Sequence, residues 1–231
     1  DFPEKVGATV AGTAEVLDDV NSATYLADLL ARSGHVDEAR GRLQKILDAN
    51  PNATGAAEVL GVLELNAGNA DKALPWLERA ARDPVDHAAQ VLWGRAALQR
   101  YEQEANDGLA PGPGLNSVRT TLAHALELRP DDAETVATLG RAESVAGEDV
   151  AKALMLLERA VALSPGREEY RLMLAEELAR QRQFARATAM LGPLVASARQ
   201  PEIRDASRRV LAAVASRTNA SARNDAGAPA R

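Results

Sequence analysis

The chain has 231 residues, with 27 Lys plus Arg against 33 Asp plus Glu, a formal net charge of −6 and no cysteine. That balance argues against general nucleic-acid binding, which needs clustered positive charge against phosphate; the missing thiols exclude disulfides, thiolate zinc sites and a cysteine nucleophile. Hydrophobic residues make up 46% but aromatic ones only 3%, so the core must be built from Ala, Leu and Val, and no apolar run reaches the ~18 residues that a membrane span needs.

The chain opens Asp1-Phe2-Pro3 with no basic-then-apolar leader, which reads as a processed or excised piece of something longer. Residues 1–20 alternate loosely, with Val6, Val10 and Val16 among Gly, Ala and Thr, and are expected to form an extended strap. Self-similarity begins after that. Ala27, Gly61, Gly94, Gly140 and Ala175 each follow a large apolar residue (Leu26, Leu60, Trp93, Leu139, Leu174). Ala39, Ala73, Val118, Ala153 and Ala187 form a second series, and Pro51, Pro84, Pro130 and Pro165 a third. Three series in step, near 34 residues apart, mark a repeat protein.

The segments TYLADLLARSGHVDEARGRLQKILDANPN (24–52) and VLGVLELNAGNADKALPWLERAARDP (59–84) resemble tetratricopeptide repeats, and the likeness extends over residues 21–199. It implies an all-α fold: a right-handed α–α superhelix, or solenoid, of about five helix-turn-helix repeats at 21–53, 54–86, 87–132, 133–166 and 167–199. Each small residue lets two antiparallel helices approach closely. Gly34 and Gly68 suit a left-handed helix end, and each Pro stops the second helix. Neighbouring hairpins then share one core. The third repeat carries an insertion at 103–116, whose Pro and Gly content opposes regular structure. Residues 200–216 form an amphipathic capping helix, and 217–231 read as a disordered tail.

The search for chemistry returns little. His35, His87 and His124 sit in separate repeats without metal-ligand spacing, and a helical histidine of this kind is usually a surface residue. No HExxH, GxSxG or phosphate-binding GxxxxGK[ST] occurs. The pairs Asp131-Asp132 and Glu168-Glu169 lie at helix starts, where carboxylates suit the helix dipole. Trp93 reads as core, whereas Trp76 is either a seam residue or partly exposed. The expectation is a non-catalytic chain with no cofactor and no metal.

In the architecture that the resemblance implies, the first helix of each repeat lines a concave groove. Its positions include Thr24, Asp28, Ala31 and Arg32, then Glu58, Val62, Leu65 and Asn66. The third repeat adds Val91, Arg95, Leu98 and Gln99, the fourth Ala137, Arg141, Ser144 and Val145, and the fifth Leu172, Glu176, Ala179 and Arg180. Asn66, Arg95, Gln99, Arg141 and Arg180 are the candidate partner contacts, with the arginines anchoring carboxylates of an extended protein or peptide partner. The competing reading pairs Arg95 and Arg141 with acids such as Glu58 or Glu143. Thr24, Asp28, Glu58 and Val62 do not supply the Lys/Asn clamp of the chaperone-binding subset. Homo-oligomeric self-association, as a spacer, is a further option.

The order of unequal repeats, with an enlarged third and the endings ALSPGREEYRLMLAEELARQRQFARATAMLGPL and QPEIRDASRRVLAAV, resembles a bacterial, mostly secreted family whose repeats follow a metallopeptidase-like domain. That resemblance implies a periplasmic or extracellular parent and a substrate-presenting role for this region, with any zinc site outside it; a cytoplasmic location is the alternative.

Overall fold

The computed structural model describes residues 13–106, 112 and 114–226. Among the described residues there are eleven helices and no strand. They are α1 (Thr13–Arg32), α2 (Val36–Ala49), α3 (Thr54–Asn66), α4 (Ala70–Ala80), α5 (His87–Asn106), α6 (Gly114–Leu128), α7 (Ala133–Ala146), α8 (Val150–Leu163), α9 (Glu168–Arg180), α10 (Phe184–Ser197) and α11 (Pro201–Ala226). Two compact units divide the chain, one up to Arg100 and one from Tyr101.

The helix ends follow from local chemistry. Asp132 and Asp149 cap α7 and α8, their carboxylates accepting the backbone N–H of Thr135 at 2.8 Å and of Lys152 at 2.9 Å. Asp86 does the same for α5, accepting from the Ala89 N–H at 3.0 Å. Such caps satisfy donors that the first helical turn leaves open. The turns inside the hairpins need a left-handed residue, supplied by Gly34 (φ 89°), Gly68 (φ 77°) and Gly147 (φ 67°). At the fifth repeat Arg182 takes that conformation at φ 59°. It keeps the same closure: the Gln183 N–H reaches Leu178 O at 2.8 Å, as His35 reaches Leu30 and Asn69 reaches Glu64.

In the first unit α1 pairs with α2 and α3 with α4, and α3 also packs on α1 and α2. Ala27, Ala39, Leu43, Ala57 and Leu60 fill the space between them, each 2% exposed or less. The small residues act as the sequence implies. A Cβ at Gly61 would stand 2.5 Å from Leu77 Cδ2 and 2.6 Å from its Cγ. Leu26 holds the register of Leu60, Leu139 and Leu174. It is nevertheless 45% exposed where they are 2–3%, because no described element covers that side of α1.

In the second unit α7 pairs with α8 and α9 with α10, α6 packs on α7, and α11 closes against α9 and α10. Gly140 repeats the close approach: its Cβ would meet Leu156 Cβ at 3.0 Å and Leu157 Cγ at 3.1 Å. Ala175, Leu191, Leu194 and Ile203 join α9, α10 and α11 in one cluster.

Four expectations change. The strap is helical from Thr13 onward, and Val20 packs on the first-unit core. Residues 1–12 lie outside the described residues. The capping helix does not stop at 216 but continues to Ala226. Its Ala and Arg residues favour helix, and no Gly or Pro interrupts them before Gly227. Residues 227–231 lie outside the described residues. The insertion is shorter than expected, since α5 runs to Asn106 and α6 begins at Gly114; 107–111 and 113 are not described. His87 is buried, at 7% exposed, as the first residue of α5, rather than on the surface.

Gly61→Ala is expected to lower stability in thermal or urea melts. Overpacking costs about 1–3 kcal/mol, more than the ~1 kcal/mol of helix propensity that alanine returns. Gly41→Ala gains up to about 1 kcal/mol, because nothing lies within 4 Å of its Cβ position. Arg182→Gly, which relieves a left-handed residue, raises stability in the same melts by up to about 1 kcal/mol.

Candidate binding face

The first helix of each hairpin carries the polar residues of interest. In the first unit, Asp28, Ala31 and Arg32 of α1 face Val62, Leu63 and Asn66 of α3. With Val36 and Ala67 they enclose a cleft of about 430 Å³. Asp28 and Arg32 are bridged at 2.8 Å across one helical turn. Asn66 is exposed at its rim, and Arg95 and Gln99 are exposed on α5. Leu98, between them in sequence, is only 4% exposed and belongs to the core.

Glu58 lies one turn before Val62 on α3. Burial pushes its carboxyl above the usual carboxylate range, and the neighbouring carboxylates of Asp86 and then Asp28 push the same way.

In the second unit the corresponding face is already occupied by its own ion pairs. The Arg141 guanidinium on α7 donates from Nε to Glu102 and from Nη1 to Glu176 Oε2 at 2.6 Å. Arg180 on α9 donates to the Ser144 carbonyl at 2.6 Å and its hydroxyl at 2.7 Å, and lies 3.2 Å from Glu177. Glu177 is 1% exposed and accepts from Ser144 Oγ and from Gln181 Nε2 at 2.8 Å. Ala137, Ser144, Leu172 and Ala179, groove positions by register, are buried between neighbouring helices. The face is narrower than sequence register implies.

Glu143 is not the partner of Arg141. It is buried and taken by Arg119 of α6, whose Nε and Nη2 lie 3.0 and 2.8 Å from Oε2, and by Lys152 Nζ at 2.6 Å from Oε1. The first unit has the same device. Arg40 Nε of α2 lies 2.6 Å from Glu64 Oε1, and Asn69 Nδ2 lies 2.7 Å from Oε2. Each arginine precedes its glutamate by 24 residues, so the second helix of one hairpin is tied to the first helix of the next. The matching spacing was the available sequence signal. In the first unit this pair borders a cleft of about 600 Å³ that Lys72, Pro75 and Trp76 also line. Trp76 is half-buried under the Arg79 guanidinium, 5.8 Å from its ring centre. Trp93 is also half-buried.

Among the described residues no group of three or more His, Asp or Glu is placed to hold a metal ion, and no helix is long and apolar enough to cross a membrane. His35 instead meets Ser33 Oγ at 3.1 Å.

Comparison with known proteins bears on the repeats. The family described as tetratricopeptide repeat matches residues 26–87 and again 144–210. A cellulose synthase operon protein C of Xanthomonas axonopodis pv. citri (strain 306) is 30% identical over 183 residues, which are 77% of this chain; the chain spans 12% of that relative's length. Among solved structures, a thermophilic TPR protein of Thermus thermophilus superposes with a TM-score of 0.58 at 23% identity, covering 83% of this chain and 98% of that one. YrrB, described as a TPR protein with an unusual peptide-binding site, gives 0.63 at 18% identity, covering 81% and 90%. MamA from Desulfovibrio magneticus RS-1 gives 0.61 at 17%, covering 83% and 97%. These likenesses establish the fold.

Two carboxylates should leave opposite marks on stability against pH. The Arg40 hydrogen bond holds Glu64 below the usual carboxylate range despite its burial. Its contribution is therefore present above the unfolded pKa of about 4.3 and is lost as pH falls through the depressed folded value. Glu64→Gln should cost about 1–3 kcal/mol at pH 7, about 2–4 °C in melting temperature per kcal/mol, and the difference should shrink in acid. Glu58 is shifted upward, so its contribution is full below about pH 4.3 and is lost as pH rises through the folded value. Glu58→Gln should therefore raise the melting temperature at pH 7 and leave it unchanged at acid pH, as read by circular dichroism melts across the range.

Proposed function

Since the chain is built of tetratricopeptide repeats, we propose that it is a non-catalytic protein-interaction scaffold whose first-helix face captures an extended segment of a protein partner. The observation that carries this reading is the cleft of the first unit. Asp28, Ala31, Arg32, Val62 and Asn66, all groove positions by repeat register, line one recess of about 430 Å³. Apolar walls with a few polar groups at the rim suit a peptide whose side chains alternate between cleft and solvent. A surface already folded into shape also spares much of the ordering cost of binding.

Asn66, Arg95 and Gln99 are the proposed contacts in the first unit, with Arg95 anchoring a carboxylate of the bound segment. Arg141 and Arg180 are the proposed contacts in the second. Each already holds acidic neighbours there, so they would contact a partner through the donor edges that their ion pairs leave over. A second reading, prompted by the order of unequal repeats, makes this region the substrate-presenting arm of a longer secreted protein with a peptidase-like domain. Comparing the parent's activity with and without the region separates that reading from independent scaffolding.

Arg95→Glu is expected to weaken partner capture about tenfold or more in titration calorimetry, and Arg141→Glu is the comparison. The latter change lowers the melting temperature, because it sets a third carboxylate beside Glu102 and Glu176. Capture that survives Arg95→Glu and the paired Asn66→Ala, Gln99→Ala change removes the groove from consideration.

A further inference from the structure

We infer that the cleft lined by α2, α3 and α4 is a second docking site, one that takes an acidic segment of a protein partner. The carboxylate of an Asp or Glu meets Lys72 there, and an adjacent apolar side chain lies against Trp76. The site draws on the second helices of the hairpins and stands independently of the first-helix groove.

Each unit has a cleft built on one plan, and the two differ in what becomes of a lysine. In the second unit, Arg119, Glu143 and Lys152 line a recess of about 330 Å³. Arg119 takes one oxygen of the buried Glu143 and Lys152 Nζ takes the other at 2.6 Å, so that cation is spent. In the first unit, Arg40 takes one oxygen of the buried Glu64 at 2.6 Å, but Asn69 Nδ2 takes the other at 2.7 Å. A neutral amide thus does the work of the lysine. Lys72 holds the register of Lys152, each preceding the small residue of its helix, Ala73 or Ala153. Its charge helps to keep Glu64 ionised, yet among the described residues it makes no hydrogen bond or ion pair. It is exposed and lines a cleft of about 600 Å³.

One face of α4 completes the site, because Lys72, Trp76 and Arg79 stand at i, i+4 and i+7. Trp76 lines the cleft and packs on the first-unit core. Arg79 lies over its ring at 5.8 Å and has no carboxylate partner among the described residues. The other charges nearby are spoken for. Arg40 is spent on Glu64 and Asp37, and Asp48 accepts from Gln44 Nε2 at 2.9 Å. The field left over the indole is therefore positive. A carboxylate arriving beside an apolar wall that excludes water feels that field more strongly than it would in bulk solvent. An apolar neighbour of the same carboxylate covers Trp76 and Leu60. Charge complementarity thus selects an acidic segment over a basic one, while the net charge of −6 opposes an extended polyanion such as a nucleic acid.

The test uses the full chain with Trp93→Phe, so that tryptophan emission reports Trp76 alone, and three peptides that differ only in a central Glu, Gln or Lys between leucines. At low salt the Glu peptide should change Trp76 emission and bind about tenfold tighter than the Lys peptide. That ratio should fall as salt is raised and should drop to about twofold or less in Lys72→Gln, with folding checked by circular dichroism. Arg95→Glu should leave it unchanged. Anisotropy of the same peptides, fluorescein-labelled, on the chain that keeps Trp93 should give the same ratios, whether or not Trp93→Phe folds. A ratio near one, saturation without a change in Trp76 emission, or a ratio that Lys72→Gln leaves unchanged overturns the inference. A preference for the Glu peptide that is lost in Arg95→Glu and kept in Lys72→Gln places the carboxylate in the first-helix groove; it overturns this site and leaves the groove reading standing.

Discussion

The contact on which the second and fourth hairpins depend is a bare helix backbone lying against a leucine, and alanine takes that place in the first and fifth. Gly61 meets Leu77 and Gly140 meets Leu157 and Leu156 at distances that no added methyl group tolerates without displacing a buried side chain. Because the two helices of a pair come this close, their apolar stripes are narrow. Alanines at 0% exposure, such as Ala27, Ala39, Ala73, Ala153 and Ala187, suffice to fill them. This is why a chain with 3% aromatic residues still fills a core in each unit.

Close pairing leaves the joints between hairpins to other forces. Both units use a buried glutamate there, Glu64 in one and Glu143 in the other, each gripped by an arginine from the preceding hairpin. Burying a charge is unfavourable unless it is paired and hydrogen-bonded. These carboxylates have both oxygens engaged, Glu64 by Arg40 and Asn69, Glu143 by Arg119 and Lys152. A directional tie of this kind fixes one hairpin's angle on the next more sharply than apolar contact, which tolerates sliding. The faces of the two units then differ in what they leave for a partner. The second satisfies its groove carboxylates internally across helices, while the apolar recess of the first is lined by one exposed-rim pair, Asp28 with Arg32.

The repeats were the most legible part of the chain. Each needs a small residue at one place and a turn residue at another, and both needs recur whatever the neighbours are. Arg182 stands where the first, second and fourth repeats have Gly34, Gly68 and Gly147, and the backbone there is left-handed all the same. The ends were read less well. Thr13–Val20 and residues 217–226 carry weak apolar patterns, and continuous helix there follows from adjoining strong helices with no breaker between.

The candidate face was half legible. The likeness to tetratricopeptide repeats implied which helix of each repeat presents it, and helical spacing and repeat phase, which are local properties, grouped the residues that share its register. That is how Asp28, Ala31, Arg32, Val62 and Asn66 could be grouped before any of them was seen to line one cleft. Which of those side chains remain available was decided only by tertiary structure. Arg141 pairs with Glu102 and Glu176 instead of Glu143, and Ala137 and Leu172 disappear between helices. Ion pairing and burial depend on the distance between hairpins far apart in the chain, and that distance is set by packing that no single repeat encodes.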